Sequence, residues 1–167
     1  LPSQFLGKPA ATGEFVTLPD VTTSAAVSFA WSGDLGSGGR CRRGVDGYPI
    51  FDVIPRYQPD FFLFLGDSIY GDHPCPSPPN EPGADFKATT LDAYRSRHRY
   101  QRSADALRRF LIRTPVYVVW DDHEVRNNFA GPYDEQMPAG RQALREYWPI
   151  GSSLEDPHRL YRTVRYG

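Results

Sequence analysis

Acidic residues follow three apolar stretches of this sequence, and they are the first residues that could carry chemistry. Asp67 comes directly after one apolar run, and Asp34 follows another within a glycine-rich loop. The densest group is 121–124, three carboxylates and an imidazole beside a very apolar stretch. Each group alone also fits an ordinary turn or a solvated acidic loop. Crowded carboxylates repel one another unless a cation or an arginine compensates, so together the three groups favour a metal site.

Carboxylates from separate strands with a histidine nearby suit hard divalent or trivalent metals. The chemistry that such a site favours is hydrolysis at phosphorus. Two cations bridged by one carboxylate polarise phosphoryl oxygens and lower the pKa of a bound water toward ~7. A histidine at the rim of the site, here His123, can protonate the leaving oxygen. These residue types therefore predict a metal-dependent phosphoric ester hydrolase.

Strands must position these residues. The apolar segments 25–31, 60–65 and 116–120 each predict a buried strand, and each ends at one of the acidic groups. Helical patterns separate the segments, so the predicted fold class is α/β with mostly parallel strands. Ligands of open parallel sheets bind at the carboxyl ends of the strands. The three acidic groups should therefore meet at one edge of the sheet.

The remaining segments carry helix, loop and strand patterns. Helices are predicted over 50–54, after the N-cap Thr90, after Ser103, and over 143–148. Loops are predicted over the proline-rich segment 71–88 and over 131–138, and alternation predicts a half-buried strand over 160–166.

Composition excludes several classes of protein. A chain of 167 residues with 40% hydrophobic and 23% charged residues is one globular domain or a piece of one. Its longest apolar run, 61–65, is far short of a membrane span, and no signal segment is visible, although Leu1 in place of Met indicates a processed or excised chain. A net charge of −1 disfavours a protein that coats nucleic acid. Of the 19 basic residues 17 are arginine, which keeps an anionic substrate open.

The two cysteines, Cys41 and Cys75, lie in glycine- and proline-rich stretches. In an extracytoplasmic protein such a pair would form a disulfide, and in a cytosolic one both would be thiols. The sequence leaves both alternatives open.

Three segments in order carry a resemblance to a known family. They are Phe29-Ala-Trp-Ser-Gly-Asp-Leu-Gly36, Pro59-Asp-Phe-Phe-Leu-Phe-Leu-Gly-Asp-Ser-Ile-Tyr70 and Val118-Val-Trp-Asp-Asp-His-Glu-Val-Arg-Asn-Asn128. Together they resemble the PhoD-like alkaline phosphatases, a branch of the calcineurin-like metallophosphoesterases. The resemblance covers residues 25–167, with 1–24 as a lead-in segment. It implies the first half of an αββα sandwich.

The resemblance also implies roles for single residues. Asp67 would bridge two metals, and Tyr70 would bind a ferric ion as a phenolate. Asp122 falls where the superfamily usually has a metal-binding asparagine, and His123 where it has the histidine that contacts phosphate. Asn127 would supply an amide oxygen to the second metal.

One ligand departs from the family pattern. Many PhoD-like proteins have a cysteine at the end of the first strand, where this chain has Asp34. A carboxylate is a harder ligand than a thiolate. The expected metals are therefore Fe³⁺ and Ca²⁺, with Mn²⁺, Mg²⁺ or Zn²⁺ as alternatives.

Family members continue for about as long again, and that later half adds further ligands. His73, His98 and His158 are not expected to replace them. The resemblance thus implies that sequence beyond residue 167 completes the site and that the segment alone is inactive.

The expected protein is extracytoplasmic and acts on small phosphate monoesters or diesters. One alternative is a non-catalytic module whose acidic loops bind Ca²⁺ for structure. Another is the same fold acting on phospholipid or polymer diesters.

Overall fold

The computed structural model describes residues 16–36, 39–151, 156 and 158–167. Its helices and strands are β1 (Phe29–Ser32), α1 (Ile50–Val53), β2 (Phe61–Leu65), α2 (Leu91–Arg102), α3 (Asp105–Arg113), β3 (Val116–Val119) and α4 (Met137–Tyr147). Short 3₁₀ turns at Ile54–Tyr57 and Gly131–Tyr133 precede β2 and α4. Residues 1–15 of the predicted lead-in lie outside the described residues, and its boundary at residue 24 stays a prediction.

The three strands form one parallel sheet in the order β1, β2, β3. Parallel neighbours need crossover connections, and here α1 lies between β1 and β2 while α2 and α3 lie between β2 and β3. The register places Ala30 beside Phe62 and Phe64 beside Val118. The predicted α/β fold class is therefore confirmed, and the carboxyl ends of all three strands lie at one edge of the sheet.

Helices cover one face of this sheet. Phe62 and Phe64 of β2 are buried there together with Phe51 of α1, Phe110 of α3 and Leu144 of α4. Each such side chain contributes about 1.5–3 kcal/mol when it leaves water, so this cluster is the main source of stability in the described residues.

The opposite face of the sheet is open in the described part of the chain. The side chains of Phe29, Trp31 and Leu65 on this face are 49%, 66% and 46% exposed. In the described residues the predicted buried strands are therefore covered by helices on one face only.

Residues 160–166 lie beside this open face and contain no strand, so the half-buried strand predicted there is wrong. The guanidinium of Arg162 donates to the carbonyl of Val118 at 2.9 Å, and the ring of Tyr166 lies 5.9 Å from that of Phe61. Side chains rather than main-chain hydrogen bonds thus hold the segment against the sheet. A cleft of 350 Å³ remains between them.

The helix boundaries agree with the sequence at some ends and differ at others. The Thr90 hydroxyl accepts the Ala93 N–H at 3.3 Å, as an N-cap should. Ser103, predicted to begin the next helix, instead ends α2, and Ala104 precedes α3. α4 begins at Met137, earlier than predicted, because Pro138 is compatible with the first turn of a helix.

A disulfide joins Cys41 to Cys75 and ties the loop after β1 to the proline-rich loop after β2. The second loop is also held by the buried guanidinium of Arg97, which donates to the carbonyls of His73 and Phe86. These contacts give the irregular segment 71–88 a defined position beside the strand ends. None of the helices in the described residues is long and apolar enough to cross a membrane.

Candidate active site

The loops after β1 and β2 bring Asp34 and Asp67 to the carboxyl edge of the sheet. The Asp34 N–H donates to the Gly66 carbonyl at 3.2 Å, and the Leu35 N–H donates to the Asp67 carbonyl at 2.9 Å. Both aspartates have left-handed backbone, with φ of 59° and 53°. Aspartate is one of the few residues other than glycine that adopts this conformation at modest cost. Each strand therefore turns sharply at its end, and the two turns bind each other.

Gly66 makes this junction possible. Its φ is 93°, and a Cβ at this position would lie 2.5 Å from the backbone nitrogen of Asp121. A side chain here would separate the loop after β2 from the loop after β3. The glycine thus lets Asp67 and the acidic group at 121–124 come together.

The carboxylate of Glu124 holds these two loops in place. It has no solvent exposure, and it accepts hydrogen bonds from the backbone N–H groups of Asp67, Ser68 and Asp121 at 3.1, 2.6 and 3.0 Å. It also accepts the Ser68 hydroxyl at 2.7 Å. Burial raises the pKa of Glu124 to about 7, although the hydrogen bonds oppose that shift. Glu124 is therefore a buried anchor of the site. In this conformation its carboxylate does not face solvent and is not placed to bind a metal ion from there.

The hydroxyl of Tyr70 reaches the two strand-end aspartates. It donates to Asp34 Oδ1 at 3.0 Å and also lies within hydrogen-bonding reach of Asp67. Burial raises the pKa of Tyr70, and the negative charges of Asp67 and Asp34 raise it further. A phenolate at this position would need a compensating cation. Because the surrounding donors are all hard oxygens, the arrangement fits a metal ion.

His123 lies at the centre of the candidate site and is mostly buried. Its Nδ1 lies 2.7 Å from Asp72 Oδ1, its Nε2 lies 3.9 Å from Asp122 Oδ1, and its backbone N–H donates to Asp67 Oδ1 at 3.2 Å. Its ring lies against that of Tyr70, with centroids 4.3 Å apart. Ligand atoms of Asp67, Asp122 and His123 all lie within 4.8 Å of one another.

Opposing effects set the protonation state of the His123 imidazole. Burial lowers the pKa of His123, but the hydrogen bond that its Nδ1–H donates to Asp72 and the charges of Asp72, Asp67 and Asp122 outweigh burial, so the pKa is raised. Burial also raises the pKa of Asp67, against the effect of the His123 N–H and imidazole. The carboxylates around His123 thus favour either a protonated imidazole or a metal ion bound between them.

Residues 126–128 are exposed and lie at the rim of the site. The Asn128 N–H donates to Asp122 Oδ2 at 2.5 Å, and the Asn127 N–H donates to Asp72 Oδ2 at 2.9 Å. Asn127 itself is exposed at the rim, and its role as a metal ligand stays a prediction. Next to it lies a cavity of 230 Å³ whose lining includes Asp72, Lys87, Arg126 and Asn127.

Gly71 and Tyr94 explain how the loop after β2 packs so closely on the loop after β3. The Gly71 N–H donates to the His123 carbonyl at 2.8 Å, and a Cβ on Gly71 would lie 2.7 Å from the Tyr94 ring. The Tyr94 hydroxyl donates to the Val125 carbonyl at 2.7 Å. Helix α2 therefore supports both loops from behind.

The structure brings together Asp34, Asp67, Tyr70, Asp122 and His123, while their metal-binding or catalytic roles stay predictions. Sequence reasoning missed two residues of the site, Glu124 and Asp72. Glu124 belonged to the acidic group but had no assigned role, and only its complete burial identifies it as an anchor. Asp72 lies in the proline-rich segment 71–88, and nothing in its local sequence indicates that it contacts His123, 51 residues away.

Comparisons with known proteins find similar sequences and a similar fold. The sequence model of the PhoD-like phosphatase family matches residues 31–167. Alkaline phosphatase D of Bacillus subtilis (strain 168) is 32% identical over 137 residues, covering 72% of this chain and 24% of that protein. A solved structure titled "Structure of PhoD" superposes with a TM-score of 0.74 at 29% identity, covering 93% of this chain and 32% of that chain. The chain thus spans about a quarter to a third of these relatives. On the family match and the shared fold, the chain belongs to the PhoD-like phosphatase family.

Proposed function

We propose that the protein containing this chain hydrolyses phosphate esters with metal ions held by Asp34, Asp67, Tyr70 and Asp122. The observation that carries this proposal is the convergence of Asp67, Asp122 and His123 within 4.8 Å at the carboxyl edge of a parallel sheet. Membership of a phosphatase family supports hydrolysis at phosphorus over other metal-dependent chemistry. Bound metals would polarise the phosphoryl group and supply a hydroxide nucleophile near neutral pH.

The residues of this chain would position the metal ligands before substrate arrives. Glu124 fixes the backbone of Asp67, and the His123 N–H donates to the Asp67 carboxylate and so sets its direction. Preorganised charges cost no rearrangement during the reaction, which is the main advantage of such anchoring. Asn127 at the rim completes the proposed ligand set of this segment.

His123 would act on the phosphate or on the leaving oxygen. Its Nδ1 is held by Asp72, which leaves Nε2 as the nitrogen that can donate to substrate. The raised pKa favours the protonated form, as a general acid requires.

The hard donor set supports Fe³⁺ on Tyr70 and Ca²⁺ beside it, with Mn²⁺, Mg²⁺ or Zn²⁺ as alternatives. The substrates are small phosphate monoesters or diesters.

Sequence beyond residue 167 would complete the site, which is consistent with the share of the relatives that this segment spans. The Cys41–Cys75 disulfide supports an extracytoplasmic location, where such bonds persist.

The test is hydrolysis of an aryl phosphate by the full-length protein, with and without a chelator. Turnover that disappears on chelation and returns with Ca²⁺ and Fe³⁺ is the expected result. Metal-dependent melting without any turnover would overturn the proposal and favour a structural calcium module.

A further inference from the structure

The imidazole of His73 lies beside the candidate site and takes no part in the proposed hydrolysis. Its Nδ1 is buried and has no hydrogen-bond partner, at 3.4 Å from Asp72 Oδ1. Its backbone carbonyl accepts a hydrogen bond from the buried guanidinium of Arg97. The backbone of His73 is therefore held in place, and its side chain, which is 42% exposed, has one buried nitrogen that lacks a hydrogen-bond partner.

Two imidazoles converge on one carboxylate oxygen. Asp72 Oδ1 lies 2.7 Å from His123 Nδ1 and 3.4 Å from His73 Nδ1. Ligand atoms of Asp72, His73 and His123 all lie within 4.8 Å of one another, and the two histidine rings are 4.9 Å apart. The second oxygen of Asp72 accepts the Asn127 N–H, which fixes the direction of the carboxylate.

The ligand atoms of Asp72, His73 and His123 differ from those of the metal site proposed for hydrolysis. Two imidazole nitrogens and one carboxylate oxygen form the kind of three-ligand set that binds zinc with one position open. A tetrahedral zinc ion with bonds of ~2.0–2.1 Å holds its ligand atoms roughly 3.3 Å apart. The separation of His73 Nδ1 from Asp72 Oδ1, 3.4 Å, matches this spacing, whereas His123 Nδ1 lies closer to the same oxygen, at 2.7 Å, and would move outward on binding zinc. Asp34, Asp67, Tyr70 and Asp122 are all oxygen donors, which suit harder cations.

We propose that Asp72, His73 and His123 form a second cation site, selective for Zn²⁺ or a similar transition metal, and that filling it inhibits hydrolysis. A metal ion on His123 Nδ1 and Asp72 replaces the hydrogen bond that orients the imidazole toward substrate. The same histidine thus serves either the reaction or the bound zinc. The inhibition rests on the proposed function of His123, whereas the binding does not.

Cobalt is the probe for binding, because four-coordinate Co²⁺ absorbs visible light while Zn²⁺ does not. The full-length protein with its resident metals is titrated with Co²⁺ and then with Zn²⁺ as competitor. The variant His73→Asn should bind Co²⁺ more than about tenfold more weakly, since losing a direct ligand exceeds the loss of an outer-sphere partner. The exposed His158 takes no part in the cluster, so His158→Asn is the matched control and should bind Co²⁺ as the unmodified protein does.

The second measurement is the ratio of aryl phosphate hydrolysis with and without added Zn²⁺. This ratio should fall in the unmodified protein and in His158→Asn, and much less in His73→Asn. Equal Co²⁺ affinity in His73→Asn and the unmodified protein would overturn the inferred site even where hydrolysis is metal-dependent. Binding that requires His73 in a protein without phosphatase activity would support the site while overturning the proposed function.

Discussion

His123 and His98 are both buried imidazoles beside a tyrosine ring, yet their surroundings are opposite. His123 faces three carboxylates at the sheet edge, and its pKa is raised. His98 lies on α2, stacked on Tyr147 at 5.0 Å, and its Nε2 is buried without a hydrogen-bond partner. Burial lowers the pKa of His98 to about 3, with a further contribution from Arg102 that outweighs Glu146.

The comparison shows that burial and aromatic contact do not identify a functional histidine. What distinguishes the two regions is the placement of negative charge around the ring. A neutral imidazole among helices contributes packing, whereas an imidazole among carboxylates can hold a proton or bind near a metal.

The largest effect is expected from removing the charge of Asp67. In Asp67→Asn the proposed metals lose a shared anion, so bound metal and activity should fall together, activity by more than about 10³-fold. Metal analysis and aryl phosphate hydrolysis of the full-length protein measure both quantities. Activity close to that of the unmodified protein would show that Asp67 is not part of the metal site.

Replacing the two histidines in turn tests the comparison directly. His123→Ala should slow turnover by ~10²–10⁴, the range for general acid–base groups, while bound metal is retained. His98→Leu is the matched substitution of the second buried histidine. Turnover of this variant should stay within about threefold of the unmodified protein, since the His98 ring packs between α2 and α4, away from the site. Similar losses of activity in both variants would mean that the carboxylates around His123 do not set its role.

Acid should destabilise the fold through His98. Because the folded-state pKa of His98 is lowered to about 3 from 6.5, the unfolded chain binds more protons between these values, and stability falls as pH falls through this window. At pH 5 the loss is about 2 kcal/mol relative to pH 7.

Denaturant unfolding at pH 7 and pH 5 measures this difference. In His98→Leu the difference in free energy of unfolding between pH 7 and pH 5 should be smaller by about 2 kcal/mol. His158→Leu, at an exposed position, is the control and should keep the original dependence. Unchanged pH dependence in His98→Leu would show that His98 accepts a proton in the folded state at little cost.

The smallest effect is expected from Asp72, which acts on the reaction through His123. Asp72→Asn should lower kcat about tenfold with little change in KM, because the imidazole loses the partner that orients it. The pH profile of kcat should also shift toward lower pH, since the negative charge that raises the pKa of His123 is gone. Asp92→Asn, on the exposed side of α2, is the control. A fall in stability with no change in the pH profile would make Asp72 a purely structural residue.

Local patterns account for the parts of the molecule that depend on neighbours in sequence. The apolar runs at 61–65 and 116–119 form strands where they were predicted, whereas the strand predicted over 25–31 begins only at Phe29 and ends at Ser32; acidic residues follow all three strands. The Thr90 cap was also predictable, because a cap involves residues three positions apart. The alternation at 160–166 was misleading, since alternation indicates a strand only where a neighbouring strand can pair with it.

The sequence by itself determined the α/β order of elements, the acidic groups at the strand ends and the family to which the chain belongs. Only the tertiary structure decided that Glu124 anchors Asp67 across 57 residues, that Asp72 contacts both His123 and Asn127, and that Cys41 pairs with Cys75. The physical reason is that hydrophobic periodicity records which face of an element is buried. It does not record which distant polar group will share that burial, and in this chain those distant pairs build the site.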